Sequence, residues 1–213
     1  DNRMRWGQWP IILIRAAAEF TGQTGYDEMR VLGRIISAIC VSLSVLLILL
    51  IGWRLHNRIT GLLAAALSSL AVMQIQQSHF MTVDNFGGLF TMLGLYACVR
   101  IAQQPCADRS TNASGAYRFD RYCWRWCLLF GVSFGMAVAC KINLLPLGGM
   151  LLVALFLSSA DLKLKYSQDL TRILGIAILH FSLAIGVALL TFRLTQPMTF
   201  RAPTGDTTFW TLH

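Results

Sequence analysis

The chain has 213 residues, 55% of them hydrophobic and 13% charged, with a mean hydropathy of +0.57, whereas soluble domains carry about 25% charged residues. Its formal net charge of +8 is not a nucleic-acid footprint, because the basic residues sit in short connections between apolar blocks and no soluble groove interleaves them with aromatics. The composition excludes an ordinary soluble enzyme and a nucleic-acid binder, and it predicts an integral protein of the lipid bilayer.

Residues 1–34 are mixed. Trp6, Trp9 and Pro10 lead into a short apolar run over 11–18, too short to span and suited to a helix lying in the membrane interface. The first predicted span is 35–53, ending in Arg54, His56 and Arg58. The second is 59–76, and it runs into a polar elbow that carries His79 and Asp84. The third is 86–102. A polar loop, 103–124, follows. Spans at 126–140 and 144–160 come next, with a boundary at Asn143 that also reads as one broken helix. The loop 161–172 carries Lys163, Lys165 and Arg172, and 173–192 is the last span. Each block is close to the roughly 20 residues that a bilayer-crossing helix needs. The fold class is therefore all-α: a polytopic transmembrane helical bundle of about six spans plus an N-terminal interfacial helix. The chain reads as a single membrane domain over 1–213, with an interfacial segment at 1–34, the bundle at 35–192 and an outer-face tail at 193–213. It starts at Asp1 and shows no signal peptide, so it reads as a processed protein or, the favoured reading, as part of a longer one.

Alternating the spans sorts the loops into two sides. Loops 54–58, 103–124 and 161–172 are rich in arginine and lysine, which places them in the cytoplasm and the protein in the inner (plasma) membrane. The elbow, the turn at 141–143 and the tail then face outward. Asn112-Ala113-Ser114 matches a glycosylation acceptor but falls on the cytoplasmic side and is discounted. Gly131-Val132-Ser133-Phe134-Gly135 is a GxxxG, read as close helix packing within the bundle.

Ionisable side chains in a membrane chain are costly and cluster where there is function. The outward set is Asp27, Glu28, Arg30, Arg34, His79, Asp84, Lys141, Asn143, Arg193 and Gln196. Such a set suits a substrate with a phosphate leaving group: cations neutralise the phosphate, and a carboxylate deprotonates an acceptor or holds a metal. Plainer readings stand beside these. Asp84 can cap the third span, His79 can be interfacial, Lys141 can snorkel to the headgroups, Arg34 can anchor to lipid phosphate, and Asp27-Glu28 can be a solvated turn. The six cysteines lack zinc spacing and read as small apolar packing. His180 lies in the middle of the last span. A hydrogen bond across the bundle is its first reading; ligation of a haem or pigment metal is the rarer one.

Three stretches carry a family resemblance: Leu32-Gly33-Arg34-Ile35-Ile36-Ser37-Ala38; Thr60-Gly61-Leu62-Leu63-Ala64-Ala65-Ala66 with His79-Phe80-Met81-Thr82-Val83-Asp84; and the glycine-rich run from Gly131 to Lys141. Phe192-Arg193-Leu194-Thr195-Gln196-Pro197 fits as well. In order and spacing they resemble the GT-C membrane glycosyltransferases of the protein-mannosyltransferase and aminoarabinose-transferase type, and within these the phospholipid-carrier-dependent bacterial members. The resemblance implies transfer of a sugar from a polyprenyl-phosphate carrier to an acceptor at the outer membrane face, often with a divalent metal nearby. It implies Asp84 and His79 as catalytic positions, and Arg34, Lys141, Asn143 and Arg193 as substrate-binding ones. The family's first span and its principal catalytic acid have no counterpart in these residues, so the chain reads as a portion of the enzyme or a truncated relative. The alternative is a non-catalytic transmembrane subunit on the same scaffold, in a photosynthetic or respiratory assembly with other membrane subunits. A transporter is weaker, because no span carries paired acidic residues.

Overall fold

The computed structural model describes residues 7–22, 25–103, 121–166 and 170–196. Among these, eight α-helices and one 3-10 turn follow one another without a strand. They are α1 (Gln8–Thr21), α2 (Tyr26–Leu55), α3 (Arg58–Ser69), α4 (Val72–Ser78), α5 (Val83–Ala102), α6 (Arg121–Cys140), the turn Ile142–Leu144, α7 (Leu147–Tyr166) and α8 (Leu170–Thr195). Five helices are long and apolar enough to cross a membrane, or six if the bent pair α3 and α4 is one span. The protein is an all-α polytopic membrane bundle, as the sequence predicts.

The element boundaries depart from the reading in instructive ways. The first span starts at Tyr26 rather than at 35. Glu28 accepts a hydrogen bond from the Gly25 backbone N–H at 3.1 Å, which satisfies a donor that a helix N-terminus leaves open. Asp27 and Glu28 are therefore solvated, as expected, but form the first helical turn, and Arg34 lies inside α2 rather than ahead of it. The second span is broken. α3 and α4 meet at 64°, and no proline causes it. Ser69 donates back to the Ala66 carbonyl at 2.8 Å, and Ser68 donates across the break to Gln74 Oε1 at 2.7 Å. Serine hydroxyls that compete for backbone groups bend helices in this way. The boundary at Asn143 is a true break, a 3-10 turn between α6 and α7. α7 continues to Tyr166 and α8 to Thr195, so the loop predicted from 161 and the tail predicted from 193 are shorter than expected, and Arg193 is helical. The glycosylation match, residues 1–6 and residues 197–213 lie outside the described residues.

The core sits between α5, α6, α7 and α8, around Ala97, Ile101, Cys127, Phe130, Leu151 and Ala184. Phe130 and Phe134 stack at 5.6 Å. The GxxxG is internal: a Cβ added at Gly131 would lie 2.6 Å from the Ala184 carbonyl oxygen, and one at Gly135 would lie 2.5 Å from that of Ala188. Only glycine permits α6 and α8 to approach so closely. Cys40, Cys98, Cys127 and Cys140 are free and buried, as small apolar packing requires, whereas Cys123 is disulfide-bonded, which corrects that reading for this residue. A second cluster joins α1 to the bundle through Ile14, Cys40, Phe86 and Cys140. α1 is thus not a loose surface helix, because Gly7 ahead of it donates its backbone N–H to the Ala139 carbonyl at 3.3 Å.

Candidate functional site

Two ends of the bundle are chemically distinct. At one end, Gln103 donates its side-chain amide to the Arg54 carbonyl. There too the Arg58 guanidinium lies 4.8 Å over the Trp53 ring, and that of Arg100 lies 4.9 Å over Trp126. This is the arginine-rich end. The other end collects the N-termini of α2, α5 and α7 and the C-termini of α4, α6 and α8.

At that second end Lys141 Nζ lies 2.8 Å from Asp84 Oδ1. The two residues are 57 apart in sequence. Asp84 occupies the first turn of α5, where a carboxylate is favoured by the helix dipole, and Lys141 follows the last residue of α6. Asp84 is not the helix cap: α5 begins at Val83, with Thr82 in the capping position. Lys141 does not only snorkel, since its ammonium is engaged by the carboxylate. Both side chains remain about half exposed, at 52% for Asp84 and 50% for Lys141, so the pair is accessible from outside the bundle.

The other predicted site residues share this end without joining the pair. His79 ends α4, is exposed, and lies with Nδ1 2.8 Å from the Ile75 carbonyl. Arg34 is exposed on the third turn of α2, and Asn143 is exposed in the 3-10 turn. Among the described residues, Arg34, His79 and Asn143 make no hydrogen bond or ion pair with Asp84 or Lys141. Arg193 lies half-buried in the last turn of α8. Gln196, just beyond it, is fully buried and donates its amide to the Ala139 carbonyl, which also accepts from Gly7. Two segments thus hold the end of α6 from which Lys141 projects.

Sequence reasoning missed Asn85 and Ser37. Asn85 is buried on the first turn of α5, and its amide donates to the Gln77 carbonyl at 2.8 Å and to Ser37 Oγ. The available signal was an amide beside Asp84, just ahead of the predicted third span.

A cleft of about 560 Å³ opens next to the elbow, between α1 and the start of α2. Ile11, Ile14, Met29 and Met81 give it an apolar lining, and Arg15 and Arg30 add charge. Each arginine faces a carboxylate on its own helix, Arg15 with Glu19 at 3.0 Å and Arg30 with Asp27 at 3.7 Å. His180 is buried in α8, with Nδ1 2.8 Å from the Ile176 carbonyl one turn earlier. Among the described residues, no group of three or more His, Cys, Asp or Glu side chains comes together to hold a metal ion. Asp84 is already engaged by Lys141. The described residues form no all-protein cage for a divalent metal, and no step below is routed through one.

No curated protein and no solved structure matches the chain. The family model described as dolichyl-phosphate-mannose-protein mannosyltransferase matches residues 16–205. That match takes in α2 to α8, the elbow and both partners of the ion pair. The chain belongs to the dolichyl-phosphate-mannose-protein mannosyltransferase family of membrane glycosyltransferases.

Proposed function

We propose that the chain forms part of an enzyme that moves a sugar from a polyprenyl-phosphate carrier to an acceptor hydroxyl at the outer face of the membrane, with the Asp84–Lys141 pair in its active site. The observation that carries this reading is the 2.8 Å contact between Asp84 and Lys141, a carboxylate and an ammonium held half-exposed at the end of an apolar bundle. A glycosyl phosphate needs both charges. The Asp84 carboxylate takes the proton of the acceptor hydroxyl as its oxygen attacks the anomeric carbon. The bond from that carbon to the phosphate oxygen breaks, and the phosphate leaves with the electron pair. Lys141 neutralises the charge that grows on it. Arg34 and Arg193, from the same end of the bundle, add cationic character for the phosphate in this reading. His79 and Asn143 border the acceptor. The cleft beside the elbow is apolar enough to take the isoprenoid tail.

The outer face follows from the arginine-rich opposite end staying in the cytoplasm. The test is Asp84→Asn in the full-length enzyme, assayed with dolichyl-phosphate mannose. Transfer should fall about tenfold or more with folding intact, since a general base contributes roughly a hundredfold or more. Turnover at the wild-type rate would remove Asp84 from the site.

A further inference from the structure

We propose that Asn85 is a positioning residue whose side-chain amide fixes the elbow between α4 and α5 and thereby sets the direction of the Asp84 carboxylate. The proposal rests on the active-site reading above and adds to it a residue that does not touch substrate.

The argument starts from what the elbow lacks. Residues 79–82 connect two helices at a bundle end, and their carbonyls have no regular helical partners. Where they are kept from water such groups must be satisfied by the protein itself. Asn85 does this. It is 7% exposed. Its Nδ2 donates to the Gln77 carbonyl at 2.8 Å and to Ser37 Oγ, and lies 3.5 Å from the Phe80 carbonyl. Ser37 is fully buried on α2 and passes the chain on, donating its hydroxyl to the Phe80 carbonyl at 2.8 Å. One amide and one hydroxyl therefore tie α2, the elbow and α5 together.

A second contact works in the same direction. Met81 packs against the backbone of Gly33, where an added Cβ would lie 2.5 Å from its sulfur. Gly33 and Ser37 stand one helical turn apart on α2, so both grip the elbow from the same stripe.

The lever arm is short. Asp84 and Asn85 are consecutive in the first turn of α5, and consecutive helical side chains diverge by about 100°. Asn85 points to α2 while Asp84 reaches Lys141 at the end of α6. Releasing the amide frees the first turn of α5 to roll, and the carboxylate moves with it. Aspartate cannot replace this asparagine: an ionised carboxylate only accepts hydrogen bonds, and here it would face the carbonyls of Gln77 and Phe80.

The experiment uses the full-length enzyme with dolichyl-phosphate mannose, together with hydrogen exchange that needs no substrate. In Asn85→Ala, peptides covering 76–84 should exchange about tenfold faster or more while α6 and α7 keep their wild-type protection. kcat should fall about tenfold or more, with KM for the lipid-linked sugar within about twofold. In the Asp84→Asn background, adding Asn85→Ala should lower the residual rate no further, because the residue acts through Asp84. Unchanged exchange at the elbow, or a uniform rise in every helix, overturns the clasp. A full additive loss in the double variant overturns the positioning role. If Asp84→Asn alone turns over at the wild-type rate, the active-site reading fails and takes the catalytic half of this proposal with it, while exchange still decides the clasp. Ser37→Ala, which deletes only the hydroxyl, carries the same measurements should Asn85→Ala fail to fold.

Discussion

The Asp84–Lys141 pair contributes little to the fold. Exposed ion pairs add roughly 0–1 kcal/mol, and both partners here are about half exposed. Lys141→Ala should therefore leave the melting temperature of the detergent-solubilised protein within a few degrees of wild type, a shift of about 1 kcal/mol at most. Transfer should fall by about tenfold or more, since an oxyanion-stabilising donor is worth more than that. A large loss of stability with unchanged kcat would mark the pair as a structural staple. Asp84 and Lys141 were both legible in the sequence, because a charge in an apolar chain stands out. Their contact was not, since nothing in the spacing says that α5 and α6 bring two positions so far apart to one place. Asn85 was illegible for the opposite reason. An uncharged amide at a helix start looks like ordinary turn chemistry, and only its three-dimensional partners reveal what it holds.

At the level of elements, apolar runs marked where helices lie but not where they start. α2 begins nine residues before its apolar stretch, because Glu28 caps Gly25 and the polar first turns propagate from that cap. The bend between α3 and α4 was hidden inside an apolar run, and only Ser68-Ser69 hinted at it. The GxxxG was read correctly as internal. Its role predicts the effect of Gly135→Leu, where the new side chain meets the Ala188 carbonyl oxygen and the Thr191 side chain. Overpacking of this kind costs about 1–3 kcal/mol. The variant should unfold at lower temperature in detergent and lose helix packing between α6 and α8. Unchanged thermal stability would show that the two helices can separate without loss.

For the whole molecule, the alternation of spans was legible because a bilayer demands near-uniform element lengths and leaves charge only at the ends. The contacts agree on which residues share an end: Arg54 with Gln103 at one, Asp84 with Lys141 at the other. The compartments are an expectation from loop charge. Single-cysteine reporters at 57 and 143 in a background without the native cysteines should label from opposite sides of sealed vesicles, 143 from the outside of the cell. Labelling of both from one side would undo the alternation of spans on which the two-ended arrangement rests.

The length of α2 has a further implication. Its 30 residues extend about 45 Å, against a hydrocarbon slab of about 30 Å. The surplus belongs to the end that starts at Tyr26, where Asp27, Glu28, Arg30 and Arg34 replace lipid-soluble side chains. Gly33 and Ser37, which grip the elbow, then stand near the waterline. A donor moored in the leaflet would climb to that level, a hydrophilic acceptor would descend to it, and the two could meet there without either crossing into the other's solvent.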